Sequence, residues 1–63
     1  MNKYVWARQL DVEEDVLTDG GLERGSPGEW LVRDEDRMVY LRSNRQFEIM
    51  YEPTEVRGVY RER

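Results

Sequence analysis

Hydrophobic and polar residues alternate along several short stretches of the chain, a pattern typical of β-strands. The first runs from residue 3 to 10, with Tyr4, Trp6, Arg8 and Leu10 on one side and Val5, Ala7 and Gln9 on the other. Further strands are predicted at 16–18, 22–24, 29–34 and 38–42. The strand at 29–34 combines aromatic and branched residues most densely, and we expect it to be central.

Turn residues separate these stretches. Asp19-Gly20-Gly21 and Gly25-Ser26-Pro27-Gly28 contain the glycines and proline that tight turns favour. Asp34-Glu35-Asp36-Arg37 is predicted to close a hairpin. The acidic run at 11–15 is predicted to be an exposed connection, since unpaired like charges repel one another.

A short helix is predicted at about 44–51. Ser43 can cap it together with Gln46, and Phe47, Met50 and Tyr51 would form one apolar stripe. So short a helix is marginal alone, which means that it should lie on the sheet. Pro53 prevents its continuation. Residues 54–63 are expected to form a terminal strand or a frayed tail.

These elements predict a mainly β fold, a small curled antiparallel sheet or barrel of about five strands with one short helix. Its 63 residues make a single domain, 1–63. Below roughly 70–80 residues an apolar core seldom contributes more than about 3–5 kcal/mol. The chain has no cysteine or histidine, so disulfides and the usual zinc sites are excluded, and we expect no cofactor and no metal.

The net charge of −4 is unevenly distributed. Residues 1–36 hold four basic and ten acidic residues, whereas residues 37–63 hold six and four. Nucleic-acid binding has arginines and tyrosines in its favour, but an acidic chain argues against it, because affinity for phosphate comes mainly from positive charge. No apolar run suggests a signal peptide or a membrane span, so we expect a cytoplasmic protein that is not secreted and has no membrane partner.

Catalytic equipment is not evident. Ser26 and Ser43 have no base nearby in sequence, and so small a core leaves little room for a pocket that would separate the pKa values of two carboxylates. The turn 34–36 lacks the alternating acids, central glycine and closing glutamate of a calcium loop. We therefore expect a protein that is not an enzyme.

Several short motifs resemble a family of short, mostly uncharacterised phage and prophage proteins. They are Val5-Trp6-Ala7-Arg8, Thr18-Asp19-Gly20-Gly21, Pro27-Gly28-Glu29-Trp30-Leu31-Val32, Tyr40, Phe47 and Tyr51-Glu52-Pro53. The family pattern runs Pro-Gly-Asp-Trp, apolar pairs, Tyr, Phe and Tyr-Glu-Pro. The resemblance implies a phage-derived accessory protein of unknown activity, so the cytoplasm expected above would be that of a host cell.

Two positions depart from that pattern. Arg37 stands in the hairpin turn where such proteins commonly have Gly, so the turn is expected to differ in type. Leu41 stands where a Pro often follows the Tyr, which removes a residue that discourages pairing at a sheet edge.

The leading hypothesis is a protein-binding module with a host or phage protein as partner, or with a second copy of itself. Aromatic residues and arginine dominate protein interfaces, and the predicted contact residues are Trp6, Tyr4, Arg8, Tyr40 and Arg42. Trp30 is expected in the core.

An alternative is an acidic decoy that inhibits a nucleic-acid-binding host enzyme through Glu13, Glu14, Asp15, Asp34, Glu35 and Asp36. A minor structural component of a phage particle is a further alternative.

Overall fold

The computed structural model describes residues 3–63, and this part of the chain contains seven strands and one helix. In chain order these are β1 (Tyr4–Gln9), β2 (Glu14–Thr18), β3 (Gly21–Gly25), β4 (Trp30–Asp34), β5 (Val39–Arg42), α1 (Asn44–Met50), β6 (Tyr51–Pro53) and β7 (Val59–Glu62). The predicted mainly β fold with one short helix is confirmed.

Five strands form one antiparallel sheet in the order β5-β4-β1-β7-β6, while β2 and β3 form a separate hairpin. The sheet stays open, so the barrel alternative is wrong. The strand predicted to be central, β4, is an interior strand, but β1 takes the middle position. β1 does so because β7 returns from the end of the chain to pair with its free side.

The helix covers one side of this sheet. The hydroxyl of Ser43 caps α1 by accepting a hydrogen bond from the backbone N–H of Gln46 at 3.2 Å. Phe47 is buried and stacks on Trp30, with ring centroids 4.0 Å apart and nearly parallel planes. The core beneath the helix consists of Val5, Val32, Phe47 and Tyr51, with Ala7, Trp30, Tyr40 and Tyr60 packed around it.

The chain after the helix differs from its prediction. Tyr51 was predicted to be helical but opens β6, whose Tyr51 and Pro53 pair with residues of β7. Only Val59–Glu62 of the predicted strand 54–63 is a strand, and residues 54–58 form a turn in which Gly58 has a φ of 84°. Fraying is not observed, because the N–H of Arg63 donates to the carbonyl of Met50 at 2.9 Å.

The β2–β3 hairpin packs against the β4–β5 side of the molecule. The N–H of Asp19 donates to the carbonyl of Val39 at 3.0 Å, and buried Gly25 lies against Leu10 and Leu41. Leu10, predicted to lie on the side of Trp6, directly follows β1 and is buried at this contact with Gly25. The acidic run 11–15 is only partly a connection, since Glu14 and Asp15 begin β2.

Candidate functional site

The strand register divides the sheet into two faces. Residues paired across an antiparallel ladder point to the same side, so Trp6 shares a side with Arg33 and Val59, its partners in β4 and β7. We call this side the Trp6 face; it is formed by Tyr4, Trp6, Arg8, Leu31, Arg33, Val39, Leu41, Val59 and Arg61. The opposite side, which carries the core and packs against α1, is the helix face.

Two aromatic side chains of the middle strand are open to solvent on the Trp6 face. Tyr4 is 44% exposed and Trp6 is 42% exposed, whereas Val5 between them is 2% exposed on the helix face. The guanidinium of Arg33 lies over the Trp6 ring, 5.1 Å from its centroid. This is within cation–π range, so the ring already accommodates one positive charge.

An open cleft of about 790 Å³ borders these two rings. We call it the Trp6 cleft; it is lined by Tyr4, Trp6, Glu35, Pro53, Thr54, Glu55, Val56, Val59 and Arg61. Its volume lies within the roughly 300–1,000 Å³ of small-ligand pockets, and its walls combine aromatic and aliphatic side chains with a few charges. β1, β7, the end of β6 and two turns all contribute to it.

The turn 54–58 forms one wall of the cleft and is held by its own hydrogen bonds. The Thr54 hydroxyl donates to the carbonyl of Val59 at 2.8 Å and accepts from the N–H of Val56 at 3.1 Å. The carbonyl of Gly58 accepts from the N–H of Ala7 at 3.0 Å, which ties the turn to β1. The wall is therefore preorganised and presents Val56 outward.

The charged side chains around the cleft differ in whether they have a partner of opposite charge. Arg61 donates through Nε to Glu52 at 2.9 Å, and this hydrogen bond and the positive charge lower the pKa of Glu52. Glu35 accepts from the backbone N–H of Tyr4 at 3.0 Å. Within residues 3–63, neither Glu35 nor Glu55 is in an ion pair. The cleft thus has two carboxylates without a cationic partner in the described chain and one arginine already paired.

The structure does not bring all of the predicted contact residues together. Tyr4, Trp6 and Arg8 share the Trp6 face, whereas Tyr40 and Arg42 lie on the helix face because Tyr40 pairs with Val32. The Tyr40 hydroxyl lies 3.3 Å from that of Tyr51, and burial together with this hydrogen bond raises the pKa of Tyr40. Tyr40 therefore contributes to packing on the side away from Trp6.

The two predicted arginines are engaged within the chain. Arg8 forms a bidentate ion pair with Glu14, with N···O distances of 2.8 and 3.0 Å, and the hydrogen bonding raises the pKa of Arg8. The Arg42 guanidinium lies 4.4 Å from the centroid of the Tyr40 ring. Its Nε is buried and has no hydrogen-bond partner among the residues described. Neither arginine lines the Trp6 cleft.

Most carboxylates of the predicted acidic face are bound by arginines or by backbone N–H groups of the chain itself. Arg24 reaches Glu13 at 2.7 Å and Asp15 at 3.2 Å, and Arg8 holds Glu14 as described. In the β4–β5 turn, Asp34 accepts from the N–H groups of Asp36 and Met38, at 2.9 and 3.0 Å. The acids at 13–15 are therefore neutralised locally, which weakens the electrostatic argument for a phosphate mimic.

Several cleft residues were not predicted from the sequence. Pro53 was predicted only to stop the helix, whereas Thr54, Glu55, Val56 and Val59 were predicted to lie in a terminal strand. The tight turn at 54–58 was missed. The available signal was Gly58, because glycine is the residue that most readily adopts the positive φ found there. Thr54, four residues earlier, indicates the same turn, because a threonine hydroxyl can form hydrogen bonds with the backbone of a turn.

Among residues 3–63, no group of three or more acidic side chains is close enough together to hold a metal ion. The helix of this part of the chain has seven residues, and no helix there is long and apolar enough to cross a bilayer. Comparison with protein-family models, with curated proteins and with solved structures gave no match.

Proposed function

We propose that this chain is a non-enzymatic protein-binding module and that the Trp6 face is its contact surface. The proposal rests on the exposure of two large aromatic side chains, Tyr4 and Trp6, on the middle strand of the sheet beside a preformed cleft. Tryptophan and tyrosine supply much of the binding energy at protein interfaces, particularly near the centre of the contact. The resemblance to short phage proteins supports a phage-type accessory role in the cytoplasm of a bacterial host.

Other exposed apolar side chains are less suited to this role. Leu17 and Leu22 pair across the β2–β3 hairpin and Ile49 projects from α1, all strongly exposed. None of these three residues lines the Trp6 cleft. Alanine substitutions at these positions serve as matched controls, because each removes exposed apolar surface from another part of the molecule.

The test is quantitative affinity capture from a bacterial lysate with the immobilised protein, followed by mass spectrometry. A specific partner should be captured by the unchanged chain and by Ile49→Ala and Leu17→Ala, and should be lost with Trp6→Ala. Equal capture by Trp6→Ala, or loss with Leu17→Ala instead, would show that the contact is elsewhere. Circular dichroism of each variant establishes that the fold is retained.

Self-association through the same face is a version of the proposal. Sedimentation over a roughly hundredfold range of protein concentration would detect it, because a dimer gains population and thermal stability with concentration. In that version Trp6→Ala should be monomeric throughout the range. A monomer with a concentration-independent Tm excludes self-association and leaves a different protein as the partner.

A further inference from the structure

From the chemistry of the Trp6 cleft we infer that it binds a lysine or arginine side chain of the partner protein. This inference rests on the proposed function and specifies what the partner must present. The cleft has an aromatic and aliphatic wall, formed by Tyr4, Trp6, Val56 and Val59, together with the carboxylates of Glu35 and Glu55. A single long basic side chain complements both features, because its methylene stem suits the apolar wall and its charged end suits the carboxylates.

The apolar part of the cleft suits the methylene stem of such a side chain. Lysine and arginine bury their stems along apolar surface while the charged end stays near polar groups. Val56 is strongly exposed at the cleft, and Tyr4 and Trp6 are nearly half exposed. Their surface would be removed from water by the stem of a single long side chain.

The charge of the cleft selects a cation. Within residues 3–63, Arg61 is the one basic residue that lines it and is bound by Glu52, whereas Glu35 and Glu55 are in no ion pair there. A positive group entering the cleft would therefore meet carboxylates not engaged with a cation there, while a phosphate or carboxylate would be repelled. The net charge of −4 favours the same encounter at longer range.

Aromatic rings add to this selectivity. Trp6 holds the guanidinium of Arg33 over its ring, and Arg33 is not among the residues that line the cleft. The cleft itself presents Trp6 and Tyr4 together, and cations are attracted to the faces of such rings. Aromatic rings next to carboxylates are thus a general arrangement for recognising an ammonium or guanidinium group.

The inference can be tested with short acetylated and amidated peptides. The first carries a central Leu-Lys-Leu, and its matched controls replace the lysine by norleucine or by glutamate. The Trp30→Phe variant leaves Trp6 as its only tryptophan, so its fluorescence reports on the cleft alone. The lysine peptide should change this emission in a saturable way and bind at least about tenfold more tightly than either control peptide.

Glu35→Gln and Glu55→Gln remove the two carboxylates one at a time. The amide oxygen of glutamine can still accept the hydrogen bond from Tyr4, so the fold should be retained. Each should weaken binding of the lysine peptide by about threefold to tenfold, and the double variant by more. Asp11→Asn removes the same charge beyond the opposite end of β1 and should leave the affinity unchanged.

Three results of the peptide experiment would overturn the inference. The first is equal binding of the lysine and norleucine peptides, and the second is equal binding of free lysine amide, which would indicate a small amine rather than a protein segment. The third is binding of a single-stranded DNA oligonucleotide in preference to the peptides.

If partner capture is lost with Trp6→Ala but the double glutamine variant captures normally, the cation inference fails and the protein-binding proposal stands. If Trp6→Ala captures normally, the proposed function itself fails.

Discussion

Trp30 and Trp6 belong to neighbouring strands of one sheet, but their surroundings differ. Trp30 stacks on Phe47, packs edge-on against Tyr60 and donates through its indole N–H to Asn44 at 3.0 Å. Trp6 lies on the other side of the sheet, beneath Arg33 and beside an open cleft. Because α1 covers only one side of the sheet, one tryptophan stabilises the fold and the other is available for contact.

The largest expected effect is on the helix face. Phe47→Ala removes the ring that joins Trp30, Tyr51 and Tyr60, and large-to-small changes of buried aromatic residues cost about 3–5 kcal/mol. That is comparable with the whole stability expected of so small a domain, so the variant should be largely unfolded at room temperature. Urea denaturation followed by circular dichroism measures the change.

The control for this prediction is on the same helix. Ile49 is 65% exposed, so Ile49→Ala should change the free energy of unfolding by no more than about 0.5 kcal/mol. A cooperative transition of ordinary midpoint for Phe47→Ala would contradict the description of the helix face as the stabilising side.

The hairpin should respond less strongly than the helix face. A Cβ at Gly25 would lie 2.4 Å from a methyl carbon of buried Leu10 and 3.4 Å from one of Leu41. Gly25→Ala must therefore displace packed side chains, at a cost of about 1–3 kcal/mol. Gly20→Ala is the matched control, since its Cβ meets the flexible end of Glu23. Equal midpoints of thermal unfolding for the two variants would show that the hairpin does not pack as described.

Local sequence patterns predicted most strands and the Ser43-capped helix because alternation, glycine turns and a helix cap are encoded within a few residues. They could not predict that β1 would become the middle strand, since that depends on β7 pairing with it from the far end of the chain. They also could not place Tyr40 and Trp6 on opposite faces, because the pairing of Tyr40 with Val32 sets the side. β6 was missed because it has three residues and follows the helix directly.

A smaller effect is expected in the β4–β5 turn. Arg37 has a φ of 65°, a conformation that costs residues other than glycine roughly 1–2 kcal/mol. Glycine removes this cost but gains freedom in the unfolded chain, so Arg37→Gly should stabilise the protein by no more than about 1 kcal/mol. A higher Tm for Arg37→Gly would show that the backbone at Arg37 is strained. A lower Tm would mean that the arginine side chain contributes more stability than the strain costs.

The smallest effect is the acid dependence of the Glu52–Arg61 pair. The hydrogen bond and charge of Arg61 lower the pKa of Glu52 from its ordinary value of 4.5. The unfolded chain then takes up the proton first, so the stabilisation is present above pH 4.5 and is lost as the pH falls through the lowered pKa. Tm measured against pH should fall less steeply for Glu52→Gln than for the unchanged protein. Parallel curves would indicate that the pair contributes nothing.

The comparison of the two tryptophans is tested most directly by the free energies of unfolding of Trp30→Ala and Trp6→Ala, measured side by side in urea. Trp30→Ala should lose about 3 kcal/mol, the low end of the range for large buried aromatic residues, because it opens the aromatic stack beneath the helix but its ring is only partly buried. Trp6→Ala should lose about 1 kcal/mol or less, since its ring is 42% exposed. An equal or larger loss for Trp6→Ala would mean that the Trp6 face is part of the stabilising core and is not a surface left open for a partner.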